Sequence, residues 1–319
     1  MRYPRYLHLA VLFISHAPFI HPITAPYFVT YEGSSFTLKG DPVWTKPLGK
    51  DLCVVDIDNR PFSNKNEVFN EHRLNWGSFD KFSVGVLNHY LYAMIHGYRY
   101  TFIHISNEPS DRYVSWAKVP AIIEHLKECK YVLNVEADAI FKELTLPMEW
   151  QMNYWNFTKS TNVAIPSDPT EDFNRDWNGQ VNLNTGFILA QNTPRTLEIW
   201  EGWKSCLDRF PECENFRKSW PAEQGAYSSI IRYAYNKPDD LLVIPCSEAN
   251  GYPESDSDCT GSLNYQHFWI KKEQLLKDKA VVPMMQLMMQ SLHLDLMIRK
   301  DEVLVQKPGF YISEAELKN

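Results

Sequence analysis

No Cys-x-x-Cys pair occurs in this sequence, so its six cysteines lack the spacing of a zinc site, and they are too few for a disulfide scaffold. There is no internal repeat and no low-complexity block. Basic residues are the minority, 32 Lys and Arg against 39 Asp and Glu, a net charge of −7. That balance speaks against a basic nucleic-acid-binding face. It also means that an anionic ligand needs a cation to hold it. The apolar stretch near the N-terminus, residues 7–20, is shorter than the ~20 residues of a full membrane span and carries His8 and His16. With Arg2 and Arg5 ahead of it, the segment 1–20 reads as a signal or signal-anchor, and Pro18 directly after Ser15-x-Ala17 hinders cleavage.

Aromatic residues are plentiful at 14%, with 10 Trp and 17 Tyr. Most fill a core, and such rings also stack on sugar faces. Cys206 and Cys213 flank a Pro-containing turn, and Cys246 and Cys259 flank a loop rich in Gly, Ser and Asp. In an oxidising compartment both pairs can close local loops, while in a reducing one all six cysteines stay thiols. Cys53 and Cys129 border apolar runs and read as buried thiols. One glycosylation sequon, Asn156-Phe-Thr158, is consistent with secretion.

Residues 21–50 are rich in Pro, Gly and Thr and read as a lead-in, with the folded domain over 51–319. From there strand and helix patterns alternate. Strands are expected at 52–57, 100–105 and 131–135, with helices at 84–96, ended by Gly97, and at 116–129, with Pro120 in the first turn. Further strands are expected at 161–165, 181–189 and 241–244, and further helices at 194–209, capped by Thr193, and at 223–235. Met284, Met285, Met288 and Met289 read as core filler. The βαβαβ order predicts a mainly parallel sheet covered by helices, with ligands at the carboxyl ends of its strands.

One such end carries two carboxylates, Glu136 and Asp138, in Tyr131-Val-Leu-Asn-Val-Glu-Ala-Asp-Ala139. In a strand, residues two apart point the same way. Two adjacent carboxylates repel unless positive charge lies between them. A hard divalent ion, Mn²⁺ or Mg²⁺, fits that need and keeps positions open for a diphosphate. The acidic loop with Asp168, Glu171 and Asp172 reads first as solvated, with the lining of an acceptor cleft as the alternative.

With that order laid out, the chain resembles GT-A fold glycosyltransferases, an α/β, Rossmann-like class, and most of all the group of the fungal alpha-1,2-galactosyltransferase, mannosyltransferases and plant xyloglucan xylosyltransferases. Five motifs carry the resemblance: the 88–98 helix ending in His96-Gly-Tyr98, Trp116-Ala-Lys118, Glu136-Ala-Asp138 in place of Asp-x-Asp, Asn184-Thr-Gly186, and Glu223-Gln224. The resemblance implies a metal-dependent transfer of a hexose or pentose from a nucleotide-diphosphate sugar to a glycan or glycoprotein hydroxyl, with retention of configuration. It implies metal ligands Glu136, Asp138 and His267, with His293 as a fallback, and Lys118 near the diphosphate. Asp56 and Asp58 are expected in the donor-binding region, Asn184 and Gly186 beside the sugar, and Glu223 and Gln224 facing the anomeric carbon. It further implies a type II Golgi membrane protein with the domain in the lumen.

Two other readings compete. Glu136 in place of Asp motivates a catalytically inactive sugar- or partner-binding protein of the same shape. A nucleotidyltransferase is weaker, because Asp56-Ile-Asp-Asn-Arg-Pro61 contains no glycine for a phosphate loop.

Overall fold

In the computed structural model, residues 19–261 and 263–305 are described. The expected signal segment falls outside them except for its last two residues. No described helix is long and apolar enough to cross a membrane.

A small hairpin, β1 (Tyr27–Val29) and β2 (Ser35–Thr37), precedes the main sheet. The apolar runs then become β3 (Leu52–Asp58), β4 (Arg99–His104), β5 (Tyr131–Val135), β7 (Val163–Pro166), β8 (Phe187–Gln191) and β9 (Leu241–Ile244). They form one sheet in the order β4-β3-β5-β8-β7-β9. β3 lies parallel to β4 and β5, and β7 parallel to β9, while β8 runs antiparallel to both of its neighbours. The mainly parallel expectation holds with that one reversal. A second ribbon pairs β6 (Ala139–Phe141) with β10 (Tyr265–His267), antiparallel.

Alternate residues of β3 face opposite layers, as the pleat requires. Leu52 and Val54 join one core, and Cys53 and Val55 the other. The 21–50 segment is tied into the first core: Phe28 and Trp44 are buried there, and the Trp44 indole N–H donates to the Phe157 carbonyl at 2.6 Å. The second core holds helix α2 (Lys118–Glu128). Cys53 and Cys129 are joined there in a disulfide, not kept as buried thiols, because the end of α2 returns beside the start of β3. Cys206–Cys213 and Cys246–Cys259 are the other two disulfides.

Several boundaries differ from expectation. Helix α1 spans Lys81–His96, three residues longer, because Asp80 accepts from the Ser83 amide as its N-cap. The 181–189 strand begins at Phe187, since residues 184–186 bend to bind site side chains. Helix α3 spans Met148–Tyr154, the 194–209 helix breaks after α4 (Pro194–Lys204), and the 223–235 helix contains a π-turn at Tyr227–Ile231. The methionines are not core filler as a group. Helix α6 (Lys272–Ile298) buries Leu276, Ala280 and Leu287, which leaves Met285, Met288 and Met289 on its outer side, 44%, 47% and 55% exposed.

The His96-Gly97-Tyr98 motif has a structural task. Gly97 ends α1 at φ +71°, and the Tyr98 hydroxyl donates to Glu149 at 2.5 Å. His96 lies between Tyr92 and Tyr98 and donates through Nε2 to the Leu144 carbonyl at 2.9 Å. Burial lowers its pKa from 6.5 to about 3. The folded state therefore holds the ring neutral. Its contribution to stability is complete above pH 6.5 and is lost as the pH falls from there towards 3. Urea unfolding at pH 7.5 and pH 5.0 should show the wild type losing about 1–2 kcal/mol more than His96→Asn over that interval. Parallel losses would refute this role for His96.

Candidate functional site

The site lies at the carboxyl ends of β3 and β5, where an open sheet of this topology exposes its ligand crevice. Strand β5 stops at Val135, and Glu136 to Ala139 form a turn closed by the Ala139 amide on the Glu136 carbonyl at 3.0 Å. The two carboxylates therefore converge through the turn and not through strand alternation. Gly85 of α1 makes room for it, since a Cβ there would lie 2.1 Å from the Ala137 carbonyl oxygen. Asp56 sits beneath the crevice, buried, and holds the His89 Nδ1 at 2.9 Å and the Tyr100 hydroxyl at 2.6 Å. The other nitrogen of His89 donates to the Ala139 carbonyl, so β3, α1 and the turn are linked.

The β6–β10 ribbon sets His267 opposite Ala139. Its Nε2 lies 3.2 Å from Asp138 Oδ1 and 3.4 Å from Glu136 Oε2. One ligand atom from each of Glu136, Asp138 and His267 falls within 4.8 Å of the others. The neighbours of His267 fix its Nδ1 as a donor. Trp269 Nε1 donates to Asn250 Oδ1, which orients that oxygen as an acceptor, and His267 Nδ1–H donates to the same oxygen at 2.9 Å. Nε2 is left to face the two carboxylates, as in a metal-ligating imidazole whose far nitrogen is held by a hydrogen bond. The fallback His293 is exposed on α6.

Positive charge surrounds the pair. Lys118, at the start of α2, is buried and donates to Glu136 Oε1 at 2.6 Å, with Glu223 Oε1 at 3.3 Å. Lys272 pairs with Asp138. Burial alone would raise the pKa of Glu136, but Lys118 and His267 outweigh it and hold it below the usual range. Asp138 is likewise lowered, burial being outweighed chiefly by His267. For His267 burial works against the charged ring, yet Asp138 and Glu136 raise its pKa to about 9. Lys118, Lys272 and a protonated His267 thus balance the carboxylates, while the two carboxylate oxygens and the imidazole nitrogen make up a donor set that could hold a divalent ion in place of the His267 proton.

On one side of the turn is a cleft of about 250 Å³ lined by Ile57, Asp58, Arg60, Ile105, Lys118 and Lys272, among others. Asp58 there is paired with Arg60, whose guanidinium stacks on Phe82. On the other side the Asn184-Thr-Gly186 bend is held by a chain of side chains. Asn184 Nδ2 and Gln224 Nε2 donate to the two oxygens of Asp168, at 2.8 and 3.2 Å. Gln224 Oε1 accepts from the Thr185 amide at 3.1 Å. Glu223, on helix α5 (Ala222–Ala226), is buried and accepts from Ser115 and Thr185. Gly186 is required by the close approach of His267 and Glu136: a Cβ there would lie 2.4 Å from the His267 ring and 2.9 Å from Glu136.

Asp168 was expected in a solvated loop. It is 8% exposed, and burial raises its pKa against the pull of Asn184 and Asn250. The available signal was its place just beyond the apolar run of β7, the same logic that marks Glu136. Lys272, Asn250 and Ser115 carried no comparable signal.

A mixed sheet of this order, with an acidic turn at the end of β5 and a histidine returned to it by a late strand, defines a nucleotide-diphospho-sugar transferase of the GT-A fold. Residues 68–299 match the model of the galactosyl transferase GMA12/MNN10 family, well over half of the chain, and the chain belongs to that family of nucleotide-sugar-dependent glycosyltransferases. No protein with a curated description matches it. Among solved structures, a glycosyltransferase involved in glycosylation of the major capsid of PBCV-1 has a TM-score of 0.47 at 15% identity, covering 72% of this chain and 99% of that one. The galactosyltransferase LgtC with donor and acceptor sugar analogs gives 0.42 at 10% identity, over 73% of this chain and 95% of its own. Mouse xyloside xylosyltransferase 1, apo form, gives 0.41 at 12%, over 69% and 98%. None of these likenesses assigns a role to a residue here.

Gly186→Ala should lower sugar transfer at least ~100-fold, with the fold retained by circular dichroism, because the added Cβ displaces the His267 ring and the Glu136 carboxylate by about an ångström. Unchanged sugar transfer in this variant would contradict the packing argument.

Proposed function

We propose that the protein transfers a hexose or pentose from a nucleotide-diphosphate sugar to a glycan hydroxyl, with retention of configuration, using a divalent cation held by Glu136, Asp138 and His267. The observation that carries this reading is the meeting of three ligand-type side chains from distant parts of the chain within 4.8 Å, beside a cleft lined by three cations, Arg60, Lys118 and Lys272. Bound there, Mn²⁺ or Mg²⁺ would act as a Lewis acid on the departing diphosphate.

The side chains divide the remaining work. Arg60 and Lys272 bind diphosphate oxygens and neutralise charge as the leaving group departs. Lys118 supplies positive charge from below and keeps Glu136 aimed at the cation. Asp58 and Asn59, at the end of β3, meet the nucleoside. Asn184, Gly186 and Gln224 contact the sugar being transferred, Gln224 with its amide clamped by Thr185 and Asp168. Glu223 is a positioning residue acting through Lys118 and Thr185. Asp56 positions the acidic turn through His89.

Three disulfides and an exposed Asn156 sequon support residence in the secretory pathway. A Golgi membrane location through the N-terminal segment is part of the same proposal.

Hydrolysis of UDP- and GDP-sugars should depend on Mn²⁺ and fall at least ~100-fold in Asp138→Ala, as for loss of a main electrostatic contributor. Equal turnover by this variant, or turnover unaffected by chelator, would remove the metal assignment.

A further inference from the structure

We propose that the outer face of helix α6 is a dimerisation seam, on which a second copy of this chain docks antiparallel about a two-fold axis. The inference is independent of the glycosyltransferase reading. Val282, Met285, Met289, Leu292 and Leu296 recur at alternating intervals of three and four residues. Each is between 41% and 55% exposed. The buried Leu276, Ala280 and Leu287 hold α6 on the body of the protein. By the turn of an α-helix, these two sets lie on opposite sides of it.

A stripe of that spacing is the pattern by which two helices pack knobs into holes, and it runs ~21 Å along α6 at about 1.5 Å per residue. A contiguous apolar face of this kind on a folded domain marks an interaction site. Met288 borders the seam, 47% exposed, and methionine side chains adapt their shape to a facing surface. Because α6 is already ordered by the core beneath it, pairing adds little cost in backbone entropy.

The charges at the two ends of the stripe select the partner and its direction. The same alternation of intervals continues to Asp278 before Val282 and to Arg299 after Leu296, both exposed. In a parallel pair each would meet its own kind. In an antiparallel pair the partner's Arg299 lies over Val282 with its guanidinium reaching Asp278, and the same contact repeats across the axis. Met289 then faces the partner's Leu292, and Met285 the partner's Leu296. Within one chain Arg299 pairs with Asp295 at 3.2 Å, an exposed pair that contributes little and is open to exchange. A lipid surface fits this face less well. The stripe has no Trp or Phe, and its borders, with Lys279, Asp295 and Arg299, mix both signs where a membrane-lying helix carries basic residues.

Sedimentation velocity of the full chain over a concentration series tests this. All variants keep the same N-terminus, so differences among them report α6. Wild type should pass from monomer to dimer. Met289→Glu should raise the dimer dissociation constant at least ~100-fold, because each copy then brings an unpaired charge into the seam. Asp278→Arg should raise it about 10-fold by setting like charges against one another. Combining Asp278→Arg with Arg299→Asp should restore dimerisation, which a parallel pair would not do. Circular dichroism of every variant should match wild type. The proposal fails if wild type stays monomeric at ~100 μM, if Met289→Glu associates like wild type, or if the double reversal pairs no more tightly than Asp278→Arg alone. Monomeric wild type that binds phosphatidylcholine–phosphatidylserine vesicles, and loses that binding in Met289→Glu, would assign the face to lipid and overturn the proposal.

Discussion

The mutual repulsion of Glu136 and Asp138 is the constraint around which the rest of this protein is arranged. Two carboxylates in one buried turn are tolerable when opposite charge and hydrogen-bond donors are brought to them. The fold brings them from three directions: Lys118 from the helix after β4, His267 from a ribbon more than a hundred residues later, and Lys272 from the start of the last long helix. Each arrives on a regular element, which holds a site more accurately than a free loop. The empty Cβ positions of Gly85 and Gly186 let those elements close in on the turn.

That arrangement divides the crevice into two halves with different chemistry. The half at the ends of β3 and β5 sets three cations, Arg60, Lys118 and Lys272, against three carboxylates, Asp58, Glu136 and Asp138. The half beyond Asn184 has an amide and carboxylate floor and an aromatic rim. Asp168, Thr185, Glu223 and Gln224 join the halves in one hydrogen-bonded chain, so a disturbance on either side reaches the other.

Much of this was legible in the sequence. The alternation of apolar runs and helical periods placed five of the six strands of the main sheet within a residue or two, and Glu136-Ala-Asp138 stood out because carboxylates rarely end a buried run unpaired. The aromatic-flanked His267 was an expectation borrowed from a family resemblance, since nothing local says that β10 will pair with β6. The same limit explains Lys272 and Asn250, which act only through long-range register. Asp168 was missed for a different reason: acidic, proline-flanked loops are usually solvated, and its burial depends on Asn184 and Gln224 arriving from elsewhere. Cys53 and Cys129 were misread because 76 positions separate them, and the spacing cannot reveal that β3 and the end of α2 are neighbours. The methionines of α6 followed a helical period, but period alone does not tell which side of a helix is covered.

The central claim is that Glu136, Asp138 and His267 share one divalent cation. Anomalous scattering from crystals grown with Mn²⁺ and a nucleoside diphosphate tests it directly. The account predicts a single strong manganese peak bonded to both carboxylates and to His267 Nε2. A peak elsewhere, or none, with Glu136 still paired to Lys118 and His267 still bonded to Asp138, would contradict it.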